Sequence, residues 1–262
     1  MQCSSAIRHG NGATGLALLA LLFFSSPALA GGEVKNLSEL AMLPPYCRGT
    51  QQVRVISKDP VSIDQYMAIY GSSYYHLHHY CWALNSENKA NLMLDKKSRD
   101  DILNYALSDI KYVLTNASPD FVLLPDIYNS QARILFSLHR DSEAVLALER
   151  AIELKPGYVP AVARLSDYFA HIGDKAKAIM TLETGIDNTG NADGLIKKLA
   201  ALGVTYQGTP GSAIKKDEPA KEAPSAAGPD TASPSSTTPG DATQPDQAGS
   251  KPANNPYCRF CP

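Results

Sequence analysis

An internal repeat constrains the fold of this chain more than any other feature of its sequence. The segment EAVLALERAIELKPGYVPA begins at Glu143, and a similar segment, KAIMTLETGIDNTGNADG, begins at Lys177. The matching positions are Ala144 with Ala178, Leu148 with Leu182, and Ala151 with Gly185, each pair at the same spacing. A fixed period of about 34 residues is typical of stacked helix pairs, in which small residues recur where two helices approach closely.

The helix expected before each of these segments repeats with the same spacing. Its matched positions are Tyr128 with Val162, Ala132 with Ser166, and Leu135 with Phe169. In this pattern the chain resembles the tetratricopeptide repeat family. The match is best from about Pro125 to Gly157, where small residues and a closing proline stand at the family's positions: Ala132, Ala144, Ala151 and Pro156. The next unit departs from the pattern at Ser166, Gly185 and Gly190.

The resemblance implies an all-α fold of antiparallel helix pairs, stacked into a right-handed α-solenoid whose concave groove binds peptides or protein segments. We expect this helical domain to occupy residues 59–204. Asp59 and Pro60 are typical of an N-cap and a first helical turn. Two further helices are expected before the repeat, over residues 73–94 and from Ser98 onward. The second has apolar residues on one face at helical spacing: Ile102, Tyr105, Ala106, Ile110 and Val113.

Residues 1–30 have the pattern of a secretory signal peptide. An apolar run, LALLALLFF, is followed by small residues at Ala28 and Ala30. The run is far shorter than the roughly 20 apolar residues that a permanent transmembrane helix needs. We therefore expect cleavage after Ala30, export to the periplasm or medium, and no membrane span in the mature chain.

The two segments that flank the helical domain are expected to be less regular. Residues 31–58 read as an N-terminal arm, and residues 205–262 read as a disordered tail. From Gly208 to Pro256 the chain has nine prolines and no aromatic residue. Such a segment cannot bury enough apolar surface to offset the entropy lost on ordering. The tail ends in YCRFCP, which contains a cysteine pair separated by two positions.

Cleavage of the signal peptide would leave four cysteines, and an even number in an oxidising compartment predicts disulfides. Four cysteines allow three pairings. We favour Cys47 with Cys81, which would fasten the arm to the first helices, and Cys258 with Cys261, because these two are close in sequence beyond a flexible tail. A thiol-redox role of the terminal pair is a further interpretation, although a proline-rich tail offers no helix N-terminus to activate a thiol.

The sequence HLHHYC places three histidines and Cys81 within six positions. On a helix, His76 and His79 lie on one stripe and His78 on another, so the histidines are expected to diverge and pack between helices. The alternative interpretation is a copper- or zinc-handling protein, in which His76, His78 and His79 bind the ion together with the terminal cysteines.

The sequence contains no phosphate-binding glycine motif, nucleophile elbow or zinc-protease helix, so we predict a non-enzymatic protein with no cofactor. Its 24 basic and 26 acidic residues give no excess of positive charge for nucleic acid. The resemblance implies an adaptor that binds a protein or peptide partner in an envelope assembly. The first-helix residues expected to line its groove are Tyr128, Asn129, Arg133, Phe136, Val162, Arg164, Asp167 and Phe169.

Overall fold

The computed structural model describes residues 32–214, and within this range the fold is all-α, as predicted. Ten α-helices are connected by turns and by two 3₁₀ segments, which span Pro45–Gly49 and Ser72–His76. The helices, in chain order, are α1 Leu37–Ala41, α2 Val53–Ser57, α3 Ile63–Tyr70, α4 Leu77–Ala90, α5 Lys96–Asn116, α6 Leu124–Ser137, α7 Asp141–Leu154, α8 Val159–His171, α9 Lys175–Asp187 and α10 Asp193–Ala201.

Consecutive helices pack as pairs. The most extensive contacts join α4 to α5, α6 to α7, and α8 to α9, while α10 packs against α8 and α9. The first helices of successive pairs also contact one another: α6 contacts both α4 and α8. The helix bounds repeat with the same period as the sequence. Helix α6 ends at Ser137 and α8 at His171, and α7 begins at Asp141 and α9 at Lys175, so both pairs of bounds have the same spacing.

The turn inside each repeated pair requires a left-handed residue. Gly173 has a φ of 82° between α8 and α9, and His139, at the equivalent position of the preceding pair, has a φ of 58° between α6 and α7. Glycine adopts this conformation without steric cost, whereas a residue with a Cβ is disfavoured there. The backbone geometry of the turn is therefore repeated even though the residue type is not.

Small residues at the predicted repeat positions lie at the helix contacts. Ala144, Ala151 and Ala178 are fully buried. A Cβ added to Gly185 would lie 2.4 Å from Cγ1 of Val162, so α9 packs on α8 more closely than any side chain at this position would allow. The glycine that departs from the tetratricopeptide pattern thus accommodates a valine on the facing helix.

Two local expectations were wrong. Helix α3 begins at Ile63 rather than beside Asp59, because Ser62 and Gln65 form a reciprocal capping box. Asp59 instead accepts hydrogen bonds from the Val61 backbone N–H and the Tyr66 hydroxyl. In α5, Tyr105 is 38% exposed, so this residue does not join the buried face of that helix.

The segment expected to be an arm fastened by a disulfide is also packed into the core. Val34, Leu40 and Val53 are buried, and the short helices α1 and α2 lie within this segment. A disulfide joins Cys47 to Cys81 in α4, and both cysteines are fully buried. The N-terminal segment, residues 32–58, is therefore packed against α4 and covalently fastened to it.

The ordered chain also continues beyond the expected end of the domain. After α10 it turns back on α9, where the backbone N–H groups of Gly211 and Ala213 donate to the carbonyl oxygens of Ile186 and Asp187 at 2.9 and 2.8 Å. The Tyr206 side chain packs against the cluster formed by α8, α9 and α10. Residues 205–214 therefore belong to the folded domain. Among residues 32–214, no helix is long and apolar enough to cross a membrane.

We predict that Gly185→Ala destabilises the protein by about 1–3 kcal/mol, because the new methyl group overlaps Val162 in a packed contact. The measurement is the free energy of unfolding in urea. Gly194→Ala in α10 is the matched control, since nothing lies within 4 Å of its added Cβ. In a Val162→Ala background the same Gly185→Ala change should cost less. An equal cost in both backgrounds would contradict this packing explanation.

We also predict that replacing both Cys47 and Cys81 by alanine lowers the free energy of unfolding by about 4 kcal/mol, the loop-closure value for a sequence separation of 34. Denaturant titration of the oxidised protein and the double variant measures the difference. Reducing agent should have no effect on the double variant. A double variant as stable as the oxidised protein would contradict the structural role of this bond.

Candidate functional site

A pocket of about 500 Å³ lies between α4, α6 and the N-terminal segment. The loop before α8 and the first turn of that helix complete its wall. Side chains of both polar and apolar character line it: Met42, Pro44, Tyr46, Tyr80, Leu84, Glu87, Asn88, Asn91, Asp126, Asn129, Ser130, Arg133, Tyr158 and Pro160. The pocket is thus built from the first helices of consecutive pairs, with the N-terminal segment closing one side.

The Cys47–Cys81 disulfide positions this closing side. Tyr46 precedes the bridged cysteine, and its ring stacks on that of Tyr80 with 6.3 Å between the ring centroids. The Tyr46 carbonyl oxygen accepts a hydrogen bond of 2.6 Å from the Tyr74 hydroxyl. Burial raises the pKa of the Tyr46 phenol, so its hydroxyl is neutral at physiological pH. A covalent bond, a ring stack and a hydrogen bond therefore hold the same wall of the pocket.

An ion pair joins α4 to α6 across the pocket. The Nε of Arg133 donates to Oε1 of Glu87 at 2.6 Å, and a second guanidinium nitrogen donates to Oε2. Burial acts to lower the pKa of Arg133, but the hydrogen bond and charge of Glu87 outweigh it and the pKa is raised. The bidentate geometry fixes the Arg133 side chain against the pocket wall.

Asn129, one helical turn before Arg133, joins α6 to the next first helix. Its Oδ1 accepts a hydrogen bond of 3.3 Å from Nε of Arg164 in α8. Burial, and then the charge of Arg133, lower the pKa of Arg164. No carboxylate lies within ion-pair distance of Arg164 among the residues that the structure describes. The positive charge of Arg164 beside Asn129 is therefore opposed only at longer range, by the negative charges of Glu87 and Asp167.

A second polar network connects α4, α6 and the start of α8. The Tyr158 hydroxyl donates to Oδ1 of Asp126 at 2.9 Å, and the Tyr80 hydroxyl lies 2.8 Å from Oγ of Ser130. Burial raises the pKa of the Asp126 carboxyl, although the hydrogen bond from Tyr158 and the charge of Lys155 partly oppose this. These contacts pair polar side chains that line the pocket with one another.

Of the eight groove residues named from the sequence, Asn129 and Arg133 line the pocket and Arg164 contacts Asn129. The others lie elsewhere, each for an identifiable reason. Val162 is 1% exposed and packs against α9, and Asp167 forms an ion pair with Lys198 in α10. Tyr128, Phe136 and Phe169 are partly buried against the cluster between α6, α7 and α8.

The sequence analysis missed the contribution of α4 and of the N-terminal segment. Glu87, Asn88 and Asn91 form one wall of the pocket. Their helix is the first of a pair, but its partner α5 has 21 residues where α7 has 14, so the repeat spacing does not mark it. The sequence did indicate two partner helices here, and treating the first of them as a groove-lining first helix would have identified this wall.

The histidine cluster lies on another side of α4 and is directed into the protein. His78 and His79 are buried, and their ring centroids are 4.5 Å apart, so these two rings do not diverge as expected. Nδ1 of His79 lies 2.7 Å from Oδ1 of Asp109, Nδ1 of His78 lies 3.1 Å from the carbonyl oxygen of Tyr75, and Nδ1 of His76 lies 3.3 Å from the hydroxyl of Tyr112.

This arrangement gives no support to a metal centre at HLHHYC. Within residues 32–214, no group of three or more histidine, cysteine or acidic side chains is placed to hold an ion. Cys81 is bonded to Cys47 and is not a thiolate. Cys258 and Cys261, predicted to pair with each other or to bind metal, lie outside the described residues.

Comparison of the chain with models of known protein families finds no match, and neither a curated protein nor a solved structure matches it.

We predict that acid destabilises the protein through His78. Burial, and then the charge of His79, lower the pKa of His78 to about 3, below its usual 6.5. As pH falls below 6.5 the unfolded chain is protonated at this position while the folded chain is not, so stability is lost. Between pH 7 and pH 5 the native protein should lose about 1–2 kcal/mol more unfolding free energy than His78→Gln.

The measurement is urea unfolding of both proteins across this pH range. The comparison with the variant isolates His78 from Asp109, whose pKa burial raises and whose contribution therefore has the opposite sign. Parallel pH profiles for the two proteins would contradict the prediction.

Proposed function

We propose that this protein is a non-enzymatic interaction adaptor of the cell envelope, whose pocket between α4 and α6 binds an extended peptide segment of a partner protein. The observation that carries the proposal is the convergence of Asn129 and Arg133, both named from the repeat pattern, on one pocket. At about 500 Å³, the pocket lies within the roughly 300–1,000 Å³ range of ligand sites.

We further propose that the pairs α4–α5, α6–α7 and α8–α9 form a tetratricopeptide-like right-handed solenoid, with the pocket on its concave side. The repeated helix bounds and the contacts between successive first helices support this architecture. Helix α10 covers the end of the last pair. End caps of this kind are required in solenoids, because each repeat otherwise leaves an apolar face exposed.

The chemistry of the pocket suits a peptide backbone. Asn88, Asn91 and Asn129 present side-chain amides, which donate and accept hydrogen bonds as a peptide unit does. Arg133 uses two of its nitrogens on Glu87 and retains further N–H donors for a carbonyl or carboxylate. Apolar surface beside these groups comes from Tyr46, Tyr80 and Leu84. Polar anchors between apolar contacts are the arrangement that orients a ligand chain.

The compartment belongs to the same proposal. We propose that the protein is exported and functions in the periplasm or outside the cell, after cleavage at Ala30. The signal-like N-terminus supports export, and the Cys47–Cys81 disulfide suits an oxidising compartment. Within residues 32–214 no three metal-binding side chains converge, so nothing there supports the metal-handling alternative.

We predict that neutralising the ion pair and removing the Asn129 amide weakens peptide binding by at least about tenfold, the value of one lost charge-assisted hydrogen bond. The variant is Glu87→Gln, Arg133→Gln and Asn129→Ala, which avoids leaving Glu87 as an unpaired buried charge. A random peptide display library is first selected on the mature protein. Fluorescence anisotropy then gives the Kd of the enriched peptides for each variant.

The matched control is Arg140→Gln with Glu143→Gln. In the unmodified protein these two residues form the same kind of bidentate pair, in which Nε of Arg140 lies 2.7 Å from Oε1 of Glu143. This pair is exposed and lies outside the pocket, so the control removes a similar interaction without changing the pocket lining. Its Kd should equal that of the unmodified protein, and circular dichroism should show equal helicity in all three proteins. The proposal fails if no peptide is enriched, or if the pocket variant binds the enriched peptides as tightly as the control does.

A further inference from the structure

One carboxyl and three tyrosines form a connected group in the wall of the pocket. The Tyr158 hydroxyl donates to Oδ1 of Asp126 at 2.9 Å, and the Tyr80 hydroxyl donates to the Asp126 carbonyl oxygen at 3.2 Å. The ring of Tyr46 stacks on that of Tyr80, with 6.3 Å between the ring centroids. All four residues line the pocket. Two hydrogen bonds and a ring stack therefore bring this carboxyl and the three phenol rings together.

The Asp126 carboxyl lacks a close counter-charge. In the part of the chain that the structure describes it belongs to no ion pair, and Tyr158 is the one side chain that donates to it. Arg133, which lines the same pocket, is paired with Glu87 instead. The charge of Lys155 acts on Asp126 from longer range, and burial outweighs it and raises the pKa of the carboxyl. A half-buried carboxylate of this kind is stabilised when a cation pairs with it.

The groups around Asp126 suit a cation that carries an apolar stem. The Tyr158 hydroxyl gives its hydrogen to Asp126, so its oxygen keeps lone pairs that accept further hydrogen bonds. The Ser130 hydroxyl, 2.8 Å from that of Tyr80, adds another polar group to the same wall. The tyrosine rings offer apolar surface. Lysine and arginine side chains bury their stems against such surface while the charged end meets polar groups, and aromatic rings attract the cation.

We propose that the part of the pocket wall formed by Tyr46, Tyr80, Asp126 and Tyr158 binds a basic side chain, lysine or arginine, of the peptide segment. The inference rests on the peptide-binding function proposed above and names the residue class that anchors the peptide. A bound ammonium or guanidinium gives Asp126 the charge-assisted hydrogen bond that the folded domain does not supply. A neutral or acidic side chain in the same place leaves the carboxylate unpaired, so the site selects peptides by charge.

The test on the peptide side uses the unmodified mature protein and peptides that it enriches from a random display library. One position of the enriched peptides should carry lysine or arginine. Replacing this residue by norleucine removes the charge and keeps an apolar stem. The norleucine peptide should bind at least about tenfold more weakly, as Kd measured by fluorescence anisotropy, because one charge-assisted hydrogen bond is lost.

The test on the protein side is Asp126→Asn. The asparagine oxygen can still accept from Tyr158, but the side chain carries no charge, so binding of the basic peptide should weaken about tenfold while the Kd of the norleucine peptide stays the same. The matched control is Asp59→Asn. Asp59 also accepts from a tyrosine hydroxyl, that of Tyr66 at 2.8 Å, and it lies outside the pocket. This control should bind both peptides as the unmodified protein does.

A chemical measurement on the unmodified protein keeps the test decisive if Asp126→Asn does not fold. A carbodiimide joins the amine of a bound lysine peptide to a carboxyl that it contacts, and mass spectrometry of the digested adduct should locate the new amide at Asp126. Coupling at other carboxyls without any at Asp126 would overturn the inference.

The outcomes separate this inference from the peptide-binding proposal. Enriched peptides without a basic position would overturn the inference and leave peptide binding in place. The same holds if basic peptides bind Asp126→Asn as tightly as Asp59→Asn. A library from which no peptide is enriched would overturn both.

Discussion

The burial of α4 on nearly all sides is the constraint on which the rest of the structure depends. Twelve of its fourteen residues are buried, and several of these are polar. A buried polar group is costly unless it is hydrogen-bonded, and three of these side chains bond to three different neighbouring elements. His79 does so on α5, Glu87 on α6 and Asn85 on the N-terminal segment, while Cys81 bonds covalently to Cys47.

This constraint also builds the pocket. The ion pair from Glu87 to Arg133 holds α6 at the distance that leaves a pocket, and the disulfide holds Tyr46 across its closed side. On another part of the same helix, Asn85 donates hydrogen bonds to the carbonyl oxygens of Gly32 and Glu33 and so holds the start of the N-terminal segment.

The sequence predicted the helix pairs α6–α7 and α8–α9 well, because their contacts recur at a constant spacing and require small side chains such as Ala144 and Ala178. It did not predict the pocket, since Glu87 and Arg133 meet across 46 positions without any local pattern. The burial of the N-terminal segment was also missed. Its helices α1 and α2 have five residues each, too few for an amphipathic period to be recognised.

The most direct test of the central claim is site-specific photo-crosslinking in intact cells that produce the protein. A photoreactive side chain is placed at Asn88 in the pocket wall, and in a separate protein at Leu146, which is 64% exposed on α7 and does not line the pocket. We expect Asn88 to crosslink to one extended segment of a partner protein, and Leu146 to give no such adduct. A partner crosslinked through Leu146 alone, or no adduct at Asn88, would contradict the account.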